Sequence, residues 1–323
     1  AVEAVIRGGA LPKAEFLHDA ATAKFVEVVA KDLKAAGSAA LVAVGYRQDP
    51  VVHALAASIN TQLGSAGRTV GYVADDDRPH HKDDIAALAK DMAGGQVETL
   101  VILGGNPVYD APADVGFADG LAKVKNSIHL GLYNDETAAA CTWHLPQTHY
   151  LETWGDSRTW NGTVTLQQPL VQPLYDGRSA MELVELCVRG GHTSGQDLVK
   201  KTAGALDPMA SKLWQKAVHD GFAARTDRPE QRPALKPFEN KLGGRALSKM
   251  QLANGELEVV FTHSTQVWDG RFANNAWLHE IPDFISKSVW DNYAMVAPAT
   301  AHTLGLKNDT IAVLEVGGKK LEL

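Results

Sequence analysis

Cysteine is nearly absent from this 323-residue chain: Cys141 and Cys187 are the only two. They lie far apart with no CxxC spacing, so by themselves they assemble neither an iron–sulfur cluster nor a zinc site. A disulfide between them has no support in their apolar surroundings, which suit buried thiols. Long hydrophobic runs are missing too. No stretch approaches the roughly 20 apolar residues that cross a bilayer, so no direct membrane span is expected. Basic clusters are also lacking: 31 Lys and Arg stand against 38 Asp and Glu, for a formal charge of -7, and no stripe of cations runs along a helix. This argues against nucleic acid as a partner. The start "AVEAVIRGGA" has neither an apolar export segment nor an initiator Met, and the end "TIAVLEVGGKKLEL" stops as a hairpin finishes. Both ends read as cuts in a longer protein, with an export signal and other domains expected outside this stretch.

What is present is alternation. "AEFLHDAATAKFVEVVAKDLKAAG" places Phe25, Val28, Val29 and Leu33 at helical spacing before a stop at Gly37. "AALVAVG" (39–45) then reads as a buried strand, and "PVVHALAASINTQLG" as a helix. Further strands are expected at "TVGYV", "VETLVILG", "NSIHLGL" and "TVTLQQ", with helices at "KDDIAALAKDM", "DVGFADGLAKV" and "SAMELVELCVRG". Strands alternating with helices imply an α/β fold with a doubly wound, mainly parallel sheet over 1–190. From 191 to 244 a helical segment leads into "RTDRPEQRPALKPFENKLGG" (225–244), which reads as a linker with Pro229, Pro233 and Pro237. Strand candidates "ELEVVFTH", "YAMVAP", "TIAVLEV" and "KKLEL", with a short helix after Pro298, make 245–323 a smaller β-rich region, the start of a barrel.

Few residues carry chemistry on pattern alone. "LGGNPVYDAP" (103–112) follows a strand, where doubly wound sheets receive ligands, and its glycines permit close backbone approach. It is neither GxGxxG nor a Walker sequence, so binding and a plain turn both stay open. "HYLETWGDSRTWNG" (149–162) gathers His149, Glu152, Asp156 and Arg158 before an Asn-Gly turn. His144, His149 and Glu152 are metal-type residues, but their spacing fits no HExxH-like pattern and they read as loop residues. Glu152 with Asp156 is a candidate acid/base pair without evidence of a pocket. Arg158 suits either an anion or its own acidic neighbours. His53 reads as a surface residue of its helix; Asn274 and Asn275, in a long irregular stretch, suit either a ligand or a turn.

Together, "PVVHALAASINTQLGSAGRTV", "LVILGGNPVYDAP" and "HLPQTHYLETWGDSRTWNGTVTLQQPLVQPLYDGRSAMELV" resemble the molybdopterin oxidoreductase family. The resemblance is closer to the iron–sulfur subunit that carries such a module in alternative complex III, a quinol-oxidising respiratory assembly. After the linker, "NNAWLHEIPDFISKSVWDNYAMVAPATAHTLGLKNDTIAVLEV" is similar to the start of the family's dinucleotide-binding barrel. The resemblance implies cofactor contact at Gly105, Asn106 and Pro107 if a cofactor is bound. Catalytic members carry a cysteine-rich iron–sulfur segment and a Ser, Cys or selenocysteine ligand to molybdenum, and neither is matched here. The expectation is therefore a non-catalytic scaffold with no cofactor or catalytic residue of its own, clusters confined to other segments, partners among the subunits of a membrane respiratory complex, and a place on the periplasmic side of the inner membrane. The alternative implied is the truncated core of a catalytic enzyme that binds molybdopterin guanine dinucleotide.

Overall fold

A computed structural model describes residues 6, 8–9, 19–74, 84–234, 257–316 and 318–323. In chain order the elements used below are helices α1 (Ala20–Ala36) and α2 (Pro50–Gln62), strand β1 (Tyr72–Val73), helix α3 (Asp84–Ala93), strand β2 (Thr99–Leu103), helices α4 (Pro107–Asp110) and α5 (Phe117–Leu121), and strand β3 (Asn126–Gly131). Then come helix α6 (Glu136–Ala140), strands β4 (Trp143–Pro146), β5 (Gly155–Arg158) and β6 (Val164–Gln167), and helices α7 (Ala180–Arg189), α8 (Gly195–Leu206), α9 (Pro208–Lys212) and α10 (Trp214–Asp220). Strands β7 (Phe222–Ala223) and β8 (Glu230–Gln231), helices α11 (Ala276–Glu280) and α12 (Pro298–Leu304), and the hairpin β9 (Val313–Val316) and β10 (Lys319–Glu322) complete the set. The fold is mixed α/β, with one parallel three-stranded sheet, separate antiparallel sheets and, among the described residues, no closed barrel.

The chain forms two compact units that interleave along the sequence. One is Ala1–His80, His149–Pro173 and Met181–Glu258; the other is His81–Thr148, Leu174–Ala180 and Val259–Leu323. This differs from the contiguous division at 190 and 244, because the chain leaves each unit and returns to it, which a linear reading of composition does not register. Of the expected linker 225–244, residues 235–244 lie outside the described residues, as does 245–256. The described part is tied down: β8 pairs antiparallel with β1, and Thr226 Oγ1 accepts from Val164 N at 2.9 Å.

In the first unit α1 starts and stops as its sequence dictates. Asp19 caps it by accepting from Thr22 N at 2.9 Å, and Gly37 ends it at φ 52°. The apolar run 39–45, expected as a strand, is not one. Its backbone is satisfied by side chains: buried Asn60 accepts from Val42 N and donates to Val42 O, each at 2.9 Å, while Ser65 Oγ and Thr69 Oγ1 donate to Ala40 O. A carboxamide offers the same donor–acceptor pair as a neighbouring strand, so no ladder is needed. Ala30, Ala40, Ile59 and Leu63 bury the contact between α1, this segment and α2. A second core in the unit packs Val164 of β6 against Ala203, Ala210, Ala217 and Ala223.

The second unit holds the parallel sheet, ordered β2-β3-β4. Helices α4 and α5 connect β2 to β3, and α6 connects β3 to β4, as parallel pairing requires. Met92 and Ala89 of α3, with Phe117 and Leu121 of α5 and Val124, form its core; Leu100 and Ile102 of β2 pack against it. Further along, "TIAVLEV" and "KKLEL" do pair, as β9 with β10. The described residues of "ELEVVFTH" and "YAMVAP", expected as strands, run without a ladder partner.

Candidate functional site

The carboxyl ends of β2, β3 and β4 carry the most organised polar cluster of the second unit. Beyond Leu103 the chain turns through Gly104 and Gly105 at φ 75° and 78°, a left-handed pair that glycine adopts without strain. The turn places Asn106 at the head of the single-turn helix α4. There Asn106 Oδ1 accepts from Thr137 Oγ1 at 2.7 Å and Thr137 N at 3.1 Å, and its Nδ2 donates to Glu136 Oε2 at 2.6 Å. This last bond holds the Glu136 carboxyl below its ordinary range. Thr137, fully buried, accepts in turn from Val108 N at 3.0 Å. The loop and α6 are thus fastened by side chains drawn from both.

A histidine in mid-strand completes the cluster. His129 is fully buried, and its Nε2 lies 3.1 Å from Gly105 O. A carbonyl only accepts, so this nitrogen carries the proton; in the neutral ring Nδ1 is then left to accept from His144 Nδ1, 3.2 Å away. Asp135 Oδ1 stands 4.0 Å from the same Nδ1 and caps α6 through Ala138 N at 2.9 Å. Burial, and then the neighbouring His129, push the His144 pKa down. The space for His129 exists because residue 131 is glycine: a Cβ there would lie 2.4 Å from the ring. Gln147, just past β4, approaches Gly104, and its N–H bonds to Gly131 O at 3.0 Å. Nearby, a cleft of about 620 Å³ is lined by Tyr133, Asn134, Asp135, Glu136, Ala139 and Asn274.

The sequence-predicted residues divide between the units. Gly105, Asn106, Pro107, His144 and Asn274 lie in the second unit. His149, Glu152, Asp156 and Arg158 lie in the first: Asp156 and Arg158 belong to β5, which pairs antiparallel with β6 around Asn161 and Gly162, where Gly162 adopts φ 92°, and His149 and Glu152 form a turn ahead of it. Glu152 Oε2 accepts from His149 N at 2.9 Å, and Arg158 Nε donates to Gly162 O at 2.9 Å. Burial raises the Asp156 carboxyl. Arg158 thus fastens the hairpin, and Glu152 the turn before it. His53 is exposed on α2, and Asn275 caps α11. Among the described residues no group of three His, Cys, Asp or Glu side chains is placed to hold a metal. His129, Asp135, Glu136 and Thr137 were not singled out from sequence; the one signal was a histidine inside the apolar run "NSIHLGL".

A pterin dinucleotide, which the resemblance implies, carries a pyrophosphate and needs donors or cations. The residues here do not fit it well. Pro107 has no N–H, the N–H groups of Gly104, Val108 and Tyr109 are bonded internally, and α4 is a single turn. The cleft walls present the carboxylates of Asp135 and Glu136 and no Lys or Arg. Cys141, whose thiol burial pushes up, is a poor candidate for a thiolate ligand.

The second unit thus carries a ligand-type loop at the carboxyl end of its parallel sheet, and among the described residues no barrel closes. Sequence comparison supports the resemblance at the level of the molybdopterin oxidoreductase superfamily. Over 144 residues, 41% of this chain, the sequence is 28% identical to the menaquinone reductase, molybdopterin-binding-like subunit, of Nitratidesulfovibrio vulgaris (strain Hildenborough). That match spans 21% of the curated relative's length. Among solved structures, acetylene hydratase from Pelobacter acetylenicus aligns over 74% of this chain and 37% of its own, at 16% identity and a TM-score of 0.40. No family model matches the chain.

Proposed function

We propose that this chain is the molybdopterin-oxidoreductase-like module of a subunit in a membrane respiratory complex that exchanges electrons with a quinone, and that it serves there as a scaffold without molybdenum of its own. The relative's description as a menaquinone reductase subunit supports the quinone-linked setting. The observation that carries the scaffold role is Asn106: the side chain that would face a cofactor is instead engaged by Glu136 and Thr137, with carboxylates lining the cleft beside it. A side chain whose donor and acceptor are both used internally fastens structure. We assign the complex to the quinol-oxidising alternative complex III type, with the module on the periplasmic side of the inner membrane and other subunits as its partners.

The test is the molybdenum and pterin content of the full-length protein, purified within its native membrane complex and measured by elemental mass spectrometry and by pterin fluorescence after oxidative release. Neither should be present while quinol oxidation is intact. About one molybdenum per chain would overturn the scaffold reading in favour of a catalytic core that binds molybdopterin guanine dinucleotide.

A further inference from the structure

Two imidazoles meet in the middle of the parallel sheet. His129 of β3 and His144 of β4 are in register, and their Nδ1 atoms face one another at 3.2 Å, with ring centroids 5.1 Å apart and planes inclined at 37°. His129 is fully buried and spends its Nε2–H on Gly105 O, so the gap between the two Nδ1 atoms has room for one proton and not for two. His144 is half-buried, and its Nε2 has no partner among the described residues, which makes it the nitrogen that exchanges protons with solvent. The charged group beside the pair is Asp135. Its side chain is 8% exposed, and its Oδ1 stands 4.0 Å from His129 Nδ1, too far for a hydrogen bond while it caps α6. Among the described residues the other elements around the pair bring no further charge to it. Strand β2 has no ionisable residue, and α3 and α5 turn Ala89, Met92, Phe117 and Leu121 inward. Glu136 is engaged by Asn106, Asp110 of α4 lies with Asp269 and Arg271, and burial keeps the Cys141 thiol protonated.

We propose that this pair is an acid-operated latch on the loop 104–107, closed while the two rings share a single proton between them and opened by the uptake of two more. The first added proton lands on His144 Nε2 and leaves the latch closed, because the imidazolium still donates from Nδ1 to His129, and more strongly than before. The second has only His129 Nδ1 to occupy. Two N–H groups then point at each other and two like charges stand in a buried site, so the rings part. His129 turns to the Asp135 carboxylate, the anion within reach, and its Nε2–H swings away from Gly105 O. That is the side-chain bond by which β3 holds the loop, and its loss frees the turn ahead of Asn106. Burial, and then the neighbouring His129, hold the His144 pKa below its ordinary 6.5, so the latch stays closed at neutral pH. A histidine with a lowered folded pKa takes up its proton first in the unfolded chain, so the closed pair contributes in full above 6.5 and loses its contribution as pH falls. The latch invokes no ligand and does not depend on the scaffold reading.

Nitrogen NMR of the histidine rings and amide hydrogen exchange of the chain test it. At about pH 7.5 the ring protons should sit on Nε2 of His129 and on Nδ1 of His144. Between about pH 7.5 and about pH 4.5 the protection of the Val108 and Tyr109 amides, which bond to Thr137 and Asn106, should fall at least about tenfold, the yield of one proton taken up on opening over one pH unit. The Val42 amide of the other unit, bonded to Asn60, should keep its protection. His144→Asn retains a donor at the Nδ1 position and can turn its amide to accept from a charged His129, so its loop protection should stay level across the range. Asp135→Asn still caps α6 but offers the imidazolium no anion, and should move the fall to lower pH. Circular dichroism confirms that each variant is folded; if His144→Asn does not fold, the wild-type tautomers and the Asp135→Asn shift decide. The proposal is overturned if loop protection ignores pH, if Val42 loses protection in step with the loop, or if His144→Asn behaves as the wild type. It is equally overturned if Asp135→Asn leaves the fall in place, or if His129 carries its proton on Nδ1 at neutral pH.

Discussion

Replacing Gly131 by alanine isolates the contact that ties β3 to the Gly-Gly-Asn-Pro loop. In a strand, glycine-to-alanine substitution normally stabilises by about 0.5–1 kcal/mol, because the unfolded chain loses freedom. Here the added Cβ would sit 2.4, 2.7 and 3.1 Å from three atoms of the His129 ring, inside any tolerable contact. The ring is fully buried and hydrogen-bonded at both nitrogens, so it can move only by leaving Gly105 O and His144. Overpacking of this kind costs about 1–3 kcal/mol, and the buried ring N–H of His129 left without its acceptor adds about 1–3 kcal/mol. The net expectation is a loss of about 2–4 kcal/mol, read as a lower midpoint in urea with unchanged slope. The control is His129→Ala, which is destabilising alone but empties the space. In that background Gly131→Ala should become neutral or stabilising, a coupling of at least about 2 kcal/mol in the double-mutant cycle. A single substitution that leaves stability unchanged, or two that merely add, would show that His129 does not hold the loop.

Other outcomes follow from the same hydrogen bonds and charges. Asn60→Ala should cost about 2–4 kcal/mol in urea unfolding, since it strands both the N–H and the carbonyl of Val42. Thr137→Val keeps the shape but removes the hydroxyl between Asn106 and Val108; a loss of about 1–3 kcal/mol, restored largely by Thr137→Ser, is expected in the same assay. Burial, with Asp269 nearby, raises the Asp110 carboxyl, so its contribution is present at low pH and lost as pH rises through the folded value. Asp110→Asn should therefore raise the melting temperature at neutral pH and have little effect in acid; the opposite trend would contradict this. Asp269 behaves inversely, because the Arg271 guanidinium holds its carboxyl at about 2, from 3.8. Its contribution is full above 3.8 and fades toward pH 2, and Arg271→Gln should abolish that part of the acid transition.

The legible parts of the fold were those governed by local physics. Helix α1 appeared with its Asp19 cap and Gly37 stop, and the Asn161–Gly162 turn sat where an Asn-Gly pair predicts. Parallel pairing of β2 with β3 followed from alternation with helices. What sequence concealed was non-local. The run 39–45 has the composition of a buried strand, yet the partner of its backbone is a side chain 18 residues from Val42, and no periodicity marks Asn60 for that role. The stretch 149–162 stands out in sequence because charged residues cluster there, and in the structure it is a turn followed by β5 and the bend into β6. The better-organised cluster joins Gly105, Asn106, His129, Glu136, Thr137 and His144, which come together only once three strands are aligned.

That cluster also separates shape from chemistry. The Gly104–Gly105 turn, the single-turn helix behind it and the glycine that admits His129 are all accounted for by bonds within the unit. A loop of this kind can keep its sequence for structural reasons alone, since changing Asn106 would release Thr137 and changing Gly131 would evict His129. Similarity in "LVILGGNPVYDAP" therefore carries the geometry of a ligand loop without carrying its function. The charge of the neighbouring cleft is what favours the scaffold use proposed above. With Asp135 and Glu136 on its walls and no cation to offset them, an incoming pyrophosphate meets repulsion where a binding site would supply hydrogen bonds. Only a cation brought by another segment or subunit would reverse that balance.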